Sequence, residues 1–262
     1  MAEKIVITSG KGGVGKTTVT ANLGIALSDK GFRVALIDID FGLNNLDVVL
    51  GVENKVVYDI CDVLEGRCRI KQALVQCSKR KNLFVLPSNS MDTASSVSGQ
   101  NIKLIINGLD AVFDYILLDC PAGIDIGFHR AVSCADKAIV VTTPTLPSLR
   151  DADKVITILK SYKLKNVGLI INRARGDLIV SEKMMLPEDI KTILKTDLIG
   201  VLPEEDVVFL NSGKKLPESS DSRKGYNILA TNLHKGTNKM LNITKKYSGF
   251  FGGIRRRLKR SV

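Results

Sequence analysis

The sequence predicts an α/β fold with a mainly parallel, doubly wound sheet and helices on both faces. Three observations carry that prediction. Short runs rich in Val, Ile and Leu recur along the chain, stretches of helical period lie between most of them, and a glycine-rich loop follows the first run. Strands that are apolar on both faces belong in a sheet covered on both sides, which is the setting of parallel strands.

In chain order the strands are KIVIT (4–8), RVALIDID (33–40), NLFVLP (82–87), YILLDCP (115–121), AIVVTTP (138–144), VGLIINR (167–173) and LIGVLP (198–203). Helical period covers 16–30, 98–112, 147–162 and 182–195. The polar stretch SGKKLPESSDSRKG (212–225) reads as a loop, with a last helix expected over roughly 226–241. Gly, Asp, Asn and Pro gather at the strand ends, and ligands in such sheets bind beyond the carboxyl ends of the strands. The chain divides into a globular domain, 1–241, and a C-terminal segment, 242–262.

With 262 residues, 44% of them hydrophobic, the chain can bury a full core as one large domain. No apolar run approaches the roughly 18 residues needed to cross a bilayer. The opening MAEKIVITSG enters a strand without a basic leader, so retention in a cytoplasm-like compartment is expected. Cys61, Cys68, Cys77, Cys120 and Cys134 show neither C-x-x-C nor His-paired spacing and read as reduced packing thiols.

The net charge of +11 is unevenly placed. Up to Asp221, the last acid, 27 Lys or Arg balance 27 Asp or Glu; the 41 residues beyond hold 11 basic residues and no acid. Charge confined to one end points to a local anionic partner and argues against nucleic acid lying on the body.

After the first strand, GKGGVGKTT (10–18) matches G-x-x-x-x-G-K-[ST] through Gly10, Gly15, Lys16 and Thr17. Its glycines, with Gly12 and Gly13, let the backbone N–H groups around Val14 curl about a polyphosphate, while the helix behind aims its positive end at it. Lys16 would reach the terminal phosphates, and Thr17, with Thr18 beside it, would offer a hydroxyl to Mg²⁺. The generic motif leaves position 11 free, and here it is a second lysine. KGGVGKTT resembles the deviant Walker A motif of the MinD/ParA family of P-loop ATPases. The resemblance implies that Lys11 reaches across an ATP-sandwiched homodimer to the phosphates held by the other subunit.

The second strand ends LIDIDFGLNN, which sets Asp38 and Asp40 on one face as the chain leaves the sheet. Two carboxylates beside a phosphate site repel the nucleotide unless a metal, a lysine or a water stands between them. One therefore meets the lysine or the metal shell, and the other orients the attacking water. The resemblance implies that Asp40 is the water-positioning residue and Asp38 the partner of the phosphate loop. YILLDCPAGID ends its strand at Asp119, the Walker B arrangement for Mg²⁺, and Gly123 lets the next loop approach and leave the γ-phosphate. In INRARGD the amide of Asn172 can both donate to and accept from an adenine edge. VLPEEDVV places Pro203 to Val207 where a loop could close over the ring. No N-K-x-D motif selects guanine, so ATP is preferred.

The tail KYSGFFGGIRRRLKRSV (246–262) sorts on a helix at about 100° per residue. Phe250, Phe251, Ile254 and Leu258 fall within about 60° of one direction, and Arg256, Lys259 and Arg260 lie opposite. Such a segment suits the surface of an anionic membrane. Gly249, Gly252 and Gly253 weaken the helix by about 1 kcal/mol each, so the segment is expected to order only on the bilayer. One tail is marginal and two on a dimer hold far better.

The family resemblance spans nearly the whole chain and is strongest toward the cell-division regulators. It implies peripheral residence on the inner face of a cell or plastid membrane, recruitment of a MinC-type division inhibitor, and stimulation by a MinE-type or other topological regulator. LPSLRDADKVITILK (146–160), with Asp151 and Asp153, is the expected partner surface. ParA-type DNA-partition ATPases usually lack a terminal amphipathic helix, and flagellar-number regulators usually carry an extra segment before the phosphate loop. Both remain the alternative readings.

Overall fold

A computed structural model describes residues 1–41, 45–88, 98–212, 214–249 and 252–253. The chain opens with β1 (Glu3–Thr8), α1 (Lys16–Asp29), β2 (Val34–Asp38), the short helices α2 (Leu46–Leu50), α3 (Ile60–Leu64) and α4 (Ile70–Ala73), then β3 (Val75–Gln76), β4 (Leu83–Leu86) and α5 (Gly99–Asn107). It continues with β5 (Tyr115–Asp119), α6 (Ile126–Ser133), β6 (Lys137–Thr142), α7 (Leu146–Leu159), β7 (Asn166–Ala174), α8 (Gly176–Val180), α9 (Pro187–Leu194), β8 (Asp197–Pro203), α10 (Asp206–Leu210) and α11 (Asp221–Lys235). The strands form one sheet in the order β3-β4-β2-β5-β1-β6-β7-β8. Every pairing is parallel except that of the two-residue edge strand β3 with β4.

Alternation along the strands feeds two cores. On one face Ile5, Ile7, Val34, Leu36 and Leu117 pack against α1, α2 and α11, and on the other Val6, Ala35, Ile37, Ile116 and Leu118 pack against α5, α6, α7 and α9. Helix α1 buries ten of its fourteen residues because it also meets α11, so it lacks the polar outer face of a surface helix. β1 lies mid-sheet between β5 and β6, where the strand order reverses. Its carboxyl end is therefore the crevice of a doubly wound sheet, and the glycine-rich loop occupies it.

All seven expected strands form, and β3 is added at the edge. Helix ends move more. The stretch 182–195 becomes helical only from Pro187, which stands at the first turn where its missing N–H costs nothing. The last helix runs over 221–235 instead of 226–241. Ser220 caps it by accepting from the Arg223 N–H, and Gly236 ends it at φ 64, so the expected loop 212–225 gives up its end to the helix.

Beyond α11 the chain crosses the body. Ile243 and Tyr247 are buried, the latter in a 3₁₀ turn over Lys245–Tyr247 that packs on α8. Tyr247, near the start of the tail 246–262, thus belongs to the body's packing. Phe250, Phe251, Ile254 and Leu258 lie outside the described residues.

Candidate functional site

The site begins with the backbone of the loop after β1. Gly15 caps α1 in the left-handed region, φ 95 and ψ 29, which lets the loop turn abruptly into the helix. The first turn of α1 has no side-chain cap and no acid, so its N–H groups are available to an anion. Gly10 lies where a Cβ would come within 2.2 Å of the Asp151 carbonyl oxygen, so α7 packs against the loop's backbone. Lys11 is exposed, and its carbonyl accepts from Ser9 Oγ at 2.8 Å.

Side chains from two neighbouring strand ends and from α1 meet behind the loop. Asp119, at the end of β5, is 2% exposed and accepts from Thr20 Oγ1 at 3.0 Å and from the Thr17 hydroxyl. Burial pushes its carboxyl up to about 6, against the lowering effect of Thr17, Lys16 and Thr20. Asp38 stands opposite it in the β2–β5 ladder. Burial and the Asp119 charge push Asp38 well above the usual carboxylate range. Its oxygens accept the backbone N–H groups of Asp40 at 2.9 Å and of Asn45 and Leu46 at 3.2 Å each. Among the described residues, the hydrogen bonds of Asp38 hold the loop that carries Asp40, and none of them goes to the phosphate loop, the partner implied by the resemblance. Gly123, φ 90, donates its N–H to the Ser9 carbonyl and so rests beside the phosphate loop.

These groups fit a magnesium nucleotide. Two desolvated acids next to a threonine hydroxyl and the buried Lys16 favour a hard cation shared with phosphate oxygens. Thr17 and Asp119 are the residues that would hold it. Cys120, the next residue, is buried, and burial pushes its thiol up to about 12, which makes it a packing group.

On the other side of the loop a cavity of about 390 Å³ opens between Gly15, Thr18, Asn172, Pro203, Glu205 and Phe209, a volume suited to one small ligand. Asn172 lines it with one amide hydrogen already given to the Val14 carbonyl at 2.8 Å, so it braces the phosphate loop as well as facing the expected base. Arg173, another lining residue, holds φ 55 beside a bulge in β7, strain of the kind that aims side chains at sites. The structure thus brings Gly15, Thr18, Asn172 and Pro203 to one cavity, and Lys16, Thr17, Asp38 and Asp119 to the adjoining strand ends. It leaves Lys11 outside both. Sequence reasoning missed Thr20, whose only signal is its place one turn after Thr17, and reached Glu205 only as one acid within the Pro203 to Val207 loop.

A phosphate loop at the topological switch point, a buried aspartate behind it and a base-sized cavity beside it define a P-loop nucleotide-binding protein. Residues 5–217 match the CobQ/CobB/MinD/ParA nucleotide binding domain. The putative septum site-determining protein MinD of Guillardia theta is 48% identical over 217 residues, 83% of this chain and 81% of that protein. Among solved structures, the MinC:MinD cell division protein complex of Aquifex aeolicus superposes with a TM-score of 0.83 at 43% identity, over 90% of this chain and 97% of that one. The septum site-determining protein MinD of Pyrococcus horikoshii, complexed with Mg-ADP, superposes at 0.81 with 33% identity, over 90% and 97%. The chain belongs to the MinD/ParA family of nucleotide-binding proteins, on its septum site-determining MinD side.

Proposed function

We propose that this chain is a Mg²⁺-dependent ATPase whose ATP-bound homodimer sits on the inner face of an anionic membrane and recruits a MinC-type division inhibitor. The observation that carries the reading is the join of an uncapped α1 amino terminus to the buried Lys16 and Asp119, with the Thr17 hydroxyl bonded to Asp119. The fit of the chain to the Aquifex MinC:MinD complex and the Pyrococcus Mg-ADP complex supports the choice of partner and ligand.

In this reading the loop N–H groups and Lys16 hold the β- and γ-phosphates, and Thr17 and Asp119 hold Mg²⁺, which offsets their charge. Asp40, its N–H fixed by Asp38, orients the attacking water. Lys11 reaches the other subunit's phosphates; it is exposed, and no described acid pairs with its ammonium. Ile124 and Ile126 after the Gly123 loop, and Leu146 at the start of α7, are exposed at 43%, 69% and 72%, an apolar rim suited to a second subunit and its partners. Paired tails, with Phe250, Phe251, Ile254 and Leu258 inserted, then hold the dimer on the bilayer until hydrolysis separates it, with a MinE-type or other topological regulator accelerating release.

Sedimentation with anionic vesicles in ATP or ADP tests this. Binding should require ATP and be lost in Ile254→Glu. Equal binding in both nucleotides, or indifference to the acid substitution, would refute the membrane switch; ATP-dependent binding to DNA instead of vesicles would favour the partition-protein reading.

A further inference from the structure

The start of the C-terminal segment is ion-paired to the wall of the nucleotide cavity. Glu205 and Ser222 both line that cavity. The Glu205 carboxylate caps α11 by accepting the Ser222 N–H at 2.7 Å and the Asp221 N–H at 3.4 Å. That same carboxylate faces the Lys246 ammonium at 3.7 Å, and Lys246 reaches Asp221 at 2.6 Å. Lys246 thus lies between two acids that would otherwise repel at the helix start.

Other contacts hold Lys246 in place. Tyr247 and Ile243 are buried against α8, where a Cβ on Gly176 would meet the Ile243 carbonyl oxygen at 2.1 Å. Arg175, just before α8, pairs with Asp177 at 2.7 Å and spans to Glu204 at 3.7 Å. The segment over 243–247 therefore rests on both loops, after β7 and after β8, that form the base side of the cavity.

We propose that Lys246 is a positioning residue for nucleotide binding: through Glu205 it sets the 203–206 loop against the base. It touches no nucleotide itself. Because coupling between two binding events is reciprocal, a nucleotide in the cavity strengthens the docking of 243–247 and fixes where the tail leaves the body. The inference rests on the nucleotide-site reading and adds a path from that site to the tail.

The test is calorimetric binding to the full chain of ATP, ADP and tripolyphosphate, the last of which engages only the phosphate loop. Lys246→Met should weaken ATP and ADP about threefold to fivefold, the size of a partly exposed ion pair, and leave tripolyphosphate unchanged. Lys246→Arg should restore the adenine nucleotides, and Lys245→Met, at the exposed neighbour, should change nothing. In a Glu205→Gln background the Lys246→Met effect should shrink. Unchanged ATP affinity in Lys246→Met overturns the proposal, as does equal loss of ATP and tripolyphosphate, which marks a merely structural role. Failure of the unmutated chain to bind any of the three overturns the nucleotide reading first and this inference with it.

Discussion

Three alanine substitutions within six residues of the phosphate loop should differ widely in cost, because their surroundings differ. At Gly15 an alanine would adopt a left-handed conformation, φ 95, at about 1–2 kcal/mol. Its Cβ would also come within 2.5 Å of Asn172 Nδ2, the atom that satisfies the Val14 carbonyl. Moving that amide leaves a buried carbonyl unpaired, at about 1–3 kcal/mol. Gly15→Ala should therefore destabilise the nucleotide-free protein by about 2–5 kcal/mol in total. Gly12 has an ordinary φ and nothing within 4 Å of its would-be Cβ, so Gly12→Ala should stay within about 0.5 kcal/mol of the parent. Gly10→Ala meets helix backbone at 2.2 Å and should cost most, since α7 must shift bodily. Urea unfolding midpoints at constant m-value read the series. If Gly15→Ala and Gly12→Ala were equally stable, or Gly10→Ala matched the parent, the account of the loop's packing would be wrong.

Lys11→Ala should leave monomer stability unchanged and abolish the ATP-dependent dimer in sizing experiments; a dimer fraction equal to the parent's would exclude its action across the subunit boundary. Asp38→Ala strands three backbone N–H groups, so ATP turnover should fall at least about tenfold while ATP still binds, and unchanged turnover would show that the loop bearing Asp40 needs no such anchor. Asp221 gives a pH signature. Burial acts to raise its carboxyl, but hydrogen bonds from Lys246 and Lys224 outweigh it and leave the group below its ordinary 3.8. The stabilisation from a lowered acid is complete above that ordinary value and is lost as pH falls through the lower folded value. Stability measured from neutral pH downward should carry an acid-side loss that is smaller in Lys246→Met, and superimposable curves for the two proteins would mean that the pair does not form in solution.

Much of this was legible in the chain. Buried parallel strands must be apolar on both faces, so each announced itself as a run of Val, Ile and Leu, and the phosphate loop is contiguous, so its spacing carried its chemistry. The helix boundaries were less legible, because α11 starts at a cap, Ser220 and Glu205, whose second member comes from another loop. Short helices such as α2 and α3 have too few residues for a period to be visible. Asp38 illustrates the limit at the site. Its position was evident, but its bonds to the N–H groups of Asn45 and Leu46 depend on how the following loop returns, which no local pattern specifies.

The sequence by itself determined the sheet, the phosphate loop, the acids at the strand ends and the confinement of net charge to the C-terminal 41 residues, because each is a property of neighbours along the chain. Tertiary structure alone decided that Asn172 braces the loop at Val14, that Thr20 holds Asp119, and that Lys246 lies between Glu205 and Asp221. Those pairs are separated by between 25 and 158 residues, and only packing on a common sheet brings them within hydrogen-bonding reach.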